Sequence, residues 1–284
     1  MGFCLVVAAS LFVASNVFEL VSAQKIVLNP KHCGVSLENR IINGRRAEEG
    51  AFPWMVRLQV HMTEGVTPAT CGGTIITPWH VLTSAHCVIH DGKIFDSIEV
   101  ISGSVTTTSS KAMKVRVVAA VHHERYNQST FFNDIAILRV EKPFQYGLLV
   151  RPACLHTNET DLTGHKVIVA GWGVERAHLQ ASDNLRFTTI KILSQRECKK
   201  RLQEYSFNPK IMMCAYQRDK DACQGDSGSA LMLKQKKSYI QVGIVSFGIN
   251  CAGDLPGVYV PVAAYAQWII DTLSHGSRFI KLKH

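Results

Sequence analysis

From about residue 50 onward the sequence breaks into short runs of aliphatic and β-branched residues, many of them separated by glycine or proline. Runs at 74–77, 81–83, 98–101, 115–121, 135–140, 167–170, 187–193, 240–247 and 258–262 are rich in Val, Ile and Thr and too short for amphipathic helices. Such residues fit a pleated, half-buried surface, and many short strands with turn signals between them point to a β-sandwich or a β-barrel. One helix is expected over 263–273, ending near Gly276. The polar stretch 150–163, which holds Pro152 and a glycosylation sequon, reads as the seam between two β halves. With 284 residues, 46% hydrophobic and 19% charged, the chain can bury one large or two medium cores, and its balance is that of a globular protein.

The amino terminus is a separate unit. Residues 2–21 are mostly Ala, Val, Leu, Phe and Ser, and Val21-Ser22-Ala23 offers small residues for a signal-peptidase cut before Gln24. A retained anchor is the competing reading, but Glu19 interrupts the run, and a spanning helix needs about 20 apolar residues. Residues 1–23 are therefore read as a secretory signal, although no Lys or Arg stands near Met1. Of the nine cysteines, Cys4 leaves with that signal, and the remaining even number reads as disulfides in an oxidising compartment. No C-x-x-C pair is present, which argues against a structural metal cluster. Asn127-Gln128-Ser129 and Asn158-Glu159-Thr160 are glycosylation sequons. The formal charge of +9 is concentrated partly in Lys199-Lys200-Arg201, the 234–237 stretch and the 278–283 tail. These runs could meet an acidic polysaccharide, but short scattered runs more commonly form a solvated face.

Three polar motifs stand out. Ser84-Ala85-His86-Cys87 places a histidine at the end of a strand-like run, Asn133-Asp134-Ile135-Ala136 places an aspartate at the mouth of another, and Gly225-Asp226-Ser227-Gly228 is a tight turn carrying a serine. A serine hydroxyl is a poor nucleophile until an imidazole takes its proton, and the imidazole needs a carboxylate to hold its tautomer. Together with Ile41-Ile42-Asn43-Gly44, Ala170-Gly171-Trp172-Gly173, Ser246-Phe247-Gly248 and Pro256-Gly257-Val258-Tyr259, in this order, these motifs resemble the chymotrypsin-like serine proteases, the trypsin-type branch in particular.

The resemblance implies two six-stranded antiparallel Greek-key β-barrels packed face to face, at about 41–150 and 151–262, with a C-terminal helix at about 263–274. It implies Ser227 as nucleophile, His86 as general base and then acid, Asp134 as the orienting carboxylate, and the N–H groups of Gly225 and Ser227 as the oxyanion hole. Asp221 falls where the branch has its pocket-floor aspartate, with Ser246, Gly248 and Gly257 lining the same pocket; such a carboxylate selects Arg or Lys before the cut bond. Ala222 next to it offers no hydroxyl to a lysine ammonium, which tilts the preference toward arginine. Residues 24–40 become a propeptide ahead of a 41–284 peptidase domain. Cleavage after Arg40 would free the amine of Ile41 to pair with Asp226, relieving a buried carboxylate. The family spacing suggests the disulfides Cys71–Cys87, Cys198–Cys214 and Cys223–Cys251. Cys33–Cys154 would be left to keep the propeptide attached as a light chain.

The resemblance further implies polypeptide substrates, protein inhibitors, activation by a trypsin-like protease or by the enzyme itself, a monomer, and no cofactor, nucleic acid or membrane. Departures from the family pattern are Ser229-Ala230 after the nucleophile, where glycine and proline are usual, and Asn250 before Cys251. Residues 102–108 lack the carboxylates of the calcium loop of pancreatic trypsins, and Pro256 stands where sodium-binding members have tyrosine, so no metal is expected. Phe131, just before the triad strand, could narrow the subsite next to the main pocket or simply fill core. A catalytically dead homologue acting as a binding module is the rival function; such proteins usually lose a triad residue, and His86, Asp134 and Ser227 are all present.

Overall fold

The computed structural model describes residues 28–37, 46–61, 69–174, 181–218, 225–236, 238–248, 253–276 and 278–282. The first half contains β1 (Met55–His61), β2 (Ala69–Thr77), β3 (His80–Thr83), a small hairpin of β4 (Ile89–His90) and β5 (Lys93–Ile94), β6 (Ser97–Ser102), β7 (Met113–His122) and β8 (Ala136–Val140). The second half contains β9 (Cys154–Leu155), β10 (Lys166–Gly171), β11 (Arg186–Ile192), α1 (Gln195–Arg201), β12 (Met213–Tyr216), β13 (Ala230–Gln235), β14 (Ser238–Phe247), β15 (Gly257–Pro261), α2 (Ala266–Ser274) and β16 (Ile280–Lys281).

These strands close into two six-stranded antiparallel barrels, as the family resemblance implied. Around the first, the order is β1-β2-β3-β8-β7-β6; around the second it is β10-β11-β12-β15-β14-β13. The connectivity is the same in both, because the third strand pairs with the sixth and the first with the fourth. Closure pairs most of each ring's edge; β7 runs past β6 beyond Arg116, where β16 pairs with it, and β14 begins ahead of β15, where β9 pairs with it. Alternation builds the cores: along β7, Val115 and Val117 point inward while Lys114 and Arg116 stay in solvent. Val56, Leu58, Val100 and Leu138 fill the first barrel, and Val167, Ile190, Leu231 and Tyr259 fill the second. A third cluster joins Leu82, Ile135 and Ile137 of the first half to Ile244, Val260, Trp268 and Ile269 of the second.

Both ends of the described chain are fastened down. Residues 28–34 lie on the second half: Cys33 is bonded to Cys154, Gly34 N–H donates to Pro152 O, and Tyr239 N–H donates to Gly34 O; the Ser36 hydroxyl and Leu37 N–H then donate to Ala51 O and Gly50 O ahead of β1. Gly34 has a φ of +64°, and a Cβ there would overlap the Tyr239 carbonyl. At the other end β16 pairs with β7 of the first barrel, so the tail expected as a basic run is an added strand. The C-terminal helix begins with a 3₁₀ turn over Val262–Tyr265 before α2. A second helix, α1, lies beyond the single one expected from the pattern.

Candidate active site

Strand β3 runs directly into a 3₁₀ turn, Ala85–Cys87, which the Cys71–Cys87 disulfide ties back to β2. His86 projects from that turn. Asp134 precedes β8, and the antiparallel pairing of β3 with β8 sets Thr83 opposite Ala136, bringing the two motifs together. Asp134 is completely buried. Its Oδ2 lies 2.8 Å from His86 Nδ1, and its Oδ1 accepts the His86 backbone N–H at 3.0 Å. Ser246 of the second barrel donates its hydroxyl to the same Oδ2 at 2.5 Å. An ionised carboxylate only accepts, so His86 Nδ1 carries the proton and Nε2 keeps its lone pair.

The electrostatics follow from this arrangement. Burial disfavours charge on His86, yet the charge of Asp134 and its hydrogen bond outweigh burial and raise the imidazole above its ordinary value. Burial likewise pushes Asp134 up, but His86 and the Ser246 hydroxyl pull it below the usual carboxylate range. The carboxylate therefore stays charged and favours the imidazolium.

Ser227 sits on a turn that only glycines permit. Gly225 has a φ of +96° and Gly228 of +81°, and a Cβ on Gly228 would overlap Thr83 Oγ1 and the Gly72 carbonyl. Backbone bonds clasp the turn to both barrels: Gly72 N–H of the first donates to Ser227 O at 2.7 Å, and Gly228 N–H donates to Val245 O of the second at 2.8 Å. Ser227 O also lies 3.6 Å from Cys87 Sγ, so the backbone of Ser227 is packed beside the turn that carries His86.

The neighbouring Asp226 points elsewhere. Its Oδ1 accepts the Gly173 N–H at 2.8 Å, and Gly171 must lack a side chain because a Cβ would overlap that carboxylate. Pairing of Phe247 with Val258 sets Gly248 and Gly257 across from each other at the ends of β14 and β15. Ser246, expected in the substrate pocket, is the extra residue of a β-bulge between Val245 and Phe247, and its hydroxyl is committed to Asp134. That bond crosses between barrels and has no signature in the sequence. The Phe131 ring stands edge-on to His86 with centroids 5.6 Å apart and lies 5.2 Å from Phe247. Cys71, His86 and Cys87 meet closely, but the sulfurs of both cysteines are joined to each other and offer no thiolate to a metal. The Cys198–Cys214 disulfide fastens α1 to β12. Arg40, Ile41, Asp221, Cys223 and Cys251 lie outside the described residues, as do the signal and residues 24–27 and 38–40.

Comparison with known proteins agrees with this geometry. The family model described as Trypsin matches residues 41–269. A proclotting enzyme from Tachypleus tridentatus is 34% identical over 259 residues, covering 85% of this chain and 69% of that protein. A venom protease from Bombus pensylvanicus is 33% identical over 240 residues, covering 81% of this chain and 98% of the other. Trypsin alpha from Drosophila erecta is 32% identical over 241 residues, covering 83% and 88%.

Proposed function

Given that this chain belongs to the trypsin family and is a serine endopeptidase, we propose that it is a secreted precursor, activated by cleavage after Arg40, that then cuts peptide bonds after Arg and Lys. The observation that carries the catalytic assignment is the buried Asp134 carboxylate, which holds His86 Nδ1 at 2.8 Å beside the Ser227 turn. In this mechanism Ser227 Oγ attacks the substrate carbonyl carbon while His86 Nε2 takes the hydroxyl proton. The tetrahedral oxyanion is received by the N–H groups of Gly225 and Ser227, each such donor contributing roughly 3–4 kcal/mol. His86 returns the proton to the leaving amine, and water repeats the sequence on the acyl-enzyme to regenerate Ser227.

Activation is an electrostatic event in this reading. The new α-ammonium of Ile41 pairs with Asp226, whose other interactions already include the Gly173 N–H, and so orders the oxyanion turn. Asp221 takes the substrate cation at the pocket floor, with Gly248 and Gly257 leaving room for its stem. The Cys33–Cys154 bond and the Gly34 contacts would retain the propeptide on the activated enzyme as a light chain. Relatives named for clotting and venom fit an extracellular setting, as does the signal-like segment at 1–23. Among the described residues no helix is long and apolar enough to cross a membrane.

The test is to express the precursor, cleave it after Arg40 and offer arginine- and leucine-ending amide substrates. Turnover of the arginine substrate alone is expected. No turnover of either, with no acylation of Ser227 by an organofluorophosphate, would establish the binding-module reading instead.

A further inference from the structure

We propose that Asn127 carries an N-linked glycan and that this glycan acts as a steric filter at the rim of the active site, slowing folded protein substrates and inhibitors while leaving short peptides unhindered. The inference rests on the reading of the chain as a secreted peptidase.

Asn127 lies within the loop between β7 and β8, the loop that also carries Asp134. Its N–H donates to Phe132 O at 3.0 Å in an isolated bridge, so it stands across the loop from Phe132. Phe131, the residue before, lays its ring edge against His86. The Asn127 side-chain oxygen accepts three hydrogen bonds, from Ser129 N–H, Thr130 N–H and the Thr130 hydroxyl, each at 3.0 Å. That turn fixes the amide with Oδ1 directed into the loop. Nδ2, the atom that receives sugar, has no hydrogen-bond partner among the described residues, and Asn127 is exposed.

The anchorage is also rigid. Gln128 Oε1 accepts the Asp91 N–H at 2.9 Å, its Nε2 donates to Asp91 Oδ1 at 3.1 Å, and Nε2 lies 3.3 Å from His90 Nδ1. These bonds join the loop to the β4–β5 hairpin, which begins three residues after His86. Loop and hairpin are thus pinned together beside the histidine, and a glycan on Asn127 grows from their edge. Modification transfers an oligosaccharide from a lipid-pyrophosphate donor: Nδ2 loses a proton and bonds to the anomeric carbon as the lipid pyrophosphate departs. A bulky, solvated substituent at that edge meets only partners broader than the cleft. Its effect falls on productive encounter rather than on chemistry.

The second sequon supplies an internal control. His156 N–H donates to Gln241 O, and Gln241 lies six positions before Phe247 on β14, about 20 Å along the strand. Asn158, two residues past His156, is therefore far from the rim that Asn127 occupies.

The full-length precursor would be secreted from a glycosylating eukaryotic host, activated, and mapped by peptide mass spectrometry. Asn127 is expected to be occupied. Ser129→Ala and Asn127→Asp each abolish the sequon while keeping an acceptor oxygen at residue 127, and the Ser129 hydroxyl makes no hydrogen bond among the described residues. Both variants should raise kcat/KM for a folded protein substrate relative to a small arginine amide by on the order of fivefold, an encounter-rate effect. Turnover of the small amide should stay within about twofold, since its binding and chemistry are untouched. Asn158→Asp should leave the ratio unchanged. An unmodified Asn127, an unchanged ratio, or opposite responses of the two variants would overturn the filter. Glycosylated protein that turns over no small amide would instead refute the peptidase reading, and the filter with it.

Discussion

The two barrels share one strand order yet contribute to the site by different physics. The first supplies the proposed acid–base pair, held by charge: a fully buried carboxylate receives two donors from His86 and one from Ser246. The second supplies the proposed nucleophile on a turn held by backbone, with positive φ at Gly225 and Gly228 and bonds from Gly72 and to Val245. A charge-held arrangement can be disabled by an isosteric change that moves no atom. A backbone-held turn can be disabled only by steric change. That contrast orders the expected effects of substitution.

The largest effect is expected at Asp134→Asn. An asparagine placed as Asp134 is would turn its amide toward His86, forcing Nδ1 to accept and leaving the proton on Nε2. Turnover of an arginine amide should fall on the order of 10⁴-fold, the loss this neutralisation causes in the family's triad. Thermal unfolding should show a folded protein, so an inactive but intact enzyme is the expected result; unfolding at room temperature would contradict a purely tautomeric cause. Gly228→Ala should behave oppositely. Left-handed φ and overlap with Thr83 and Gly72 together cost about 2–5 kcal/mol, read as a large drop in Tm accompanying lost activity. A variant that loses activity with an unchanged Tm would show that the turn is not sterically fixed.

Within the first barrel, two histidines near one strand separate the electrostatic contributions. His80, at the start of β3, is buried, and desolvation followed by the nearby Arg139 charge lowers its pKa from 6.5 to about 4. Its ring nitrogen contacts Thr77 Oγ1 at 2.8 Å, and Phe279 of the C-terminal tail packs over it. The folded value lies below the unfolded one, so this stability is fully present above pH 6.5. It is lost as pH falls from 6.5 toward 4, by about 3 kcal/mol over that window. Replacing His80 with Asn should flatten the decline in Tm between pH 7 and pH 5. His86 shifts the other way because Asp134 faces it, so activity should disappear as pH falls through a value above the ordinary imidazole range. A profile whose acid limb lies below that range would mean that the pairing in solution is weaker than the 2.8 Å contact implies.

Much of this was legible in the sequence because its carriers are contiguous. The strand runs report burial on a period of two, and each motif places its reactive residue at a strand end or in a turn. What escaped depends on contacts distant in the chain. Helix α1 is only seven residues long with a single buried position, Cys198, too short to register as a period; its one local signal is the Ser194-x-x-Glu197 cap, where Ser194 accepts from the Glu197 N–H. Strand β16 exists because β7 offers an edge, and a basic tail does not announce a partner about 160 residues away. The first turn of the C-terminal helix tightens to 3₁₀ where Val262 and Tyr265 pack between the barrels. Most instructive is Ser246: a motif places it beside the substrate pocket, but a one-residue bulge in β14 decides where its hydroxyl goes.

That hydroxyl gives the smallest of the effects and the one most specific to the contact between barrels. Ser246→Ala removes one charge-assisted hydrogen bond from Asp134 and leaves the two from His86 in place. The lost interaction is about 1.5–3 kcal/mol of carboxylate stabilisation, softened because His86 continues to pair with the charge. With one donor fewer, Asp134 becomes more basic and holds the imidazolium more strongly, so the acid limb of the pH–rate profile should move upward while Asp134→Asn abolishes the profile altogether. Turnover at high pH should fall by no more than about tenfold, since tautomer and orientation survive. A merely structural role for Ser246 would lower Tm without moving the acid limb; a downward shift would show that the hydroxyl does not donate to Asp134 in the working enzyme.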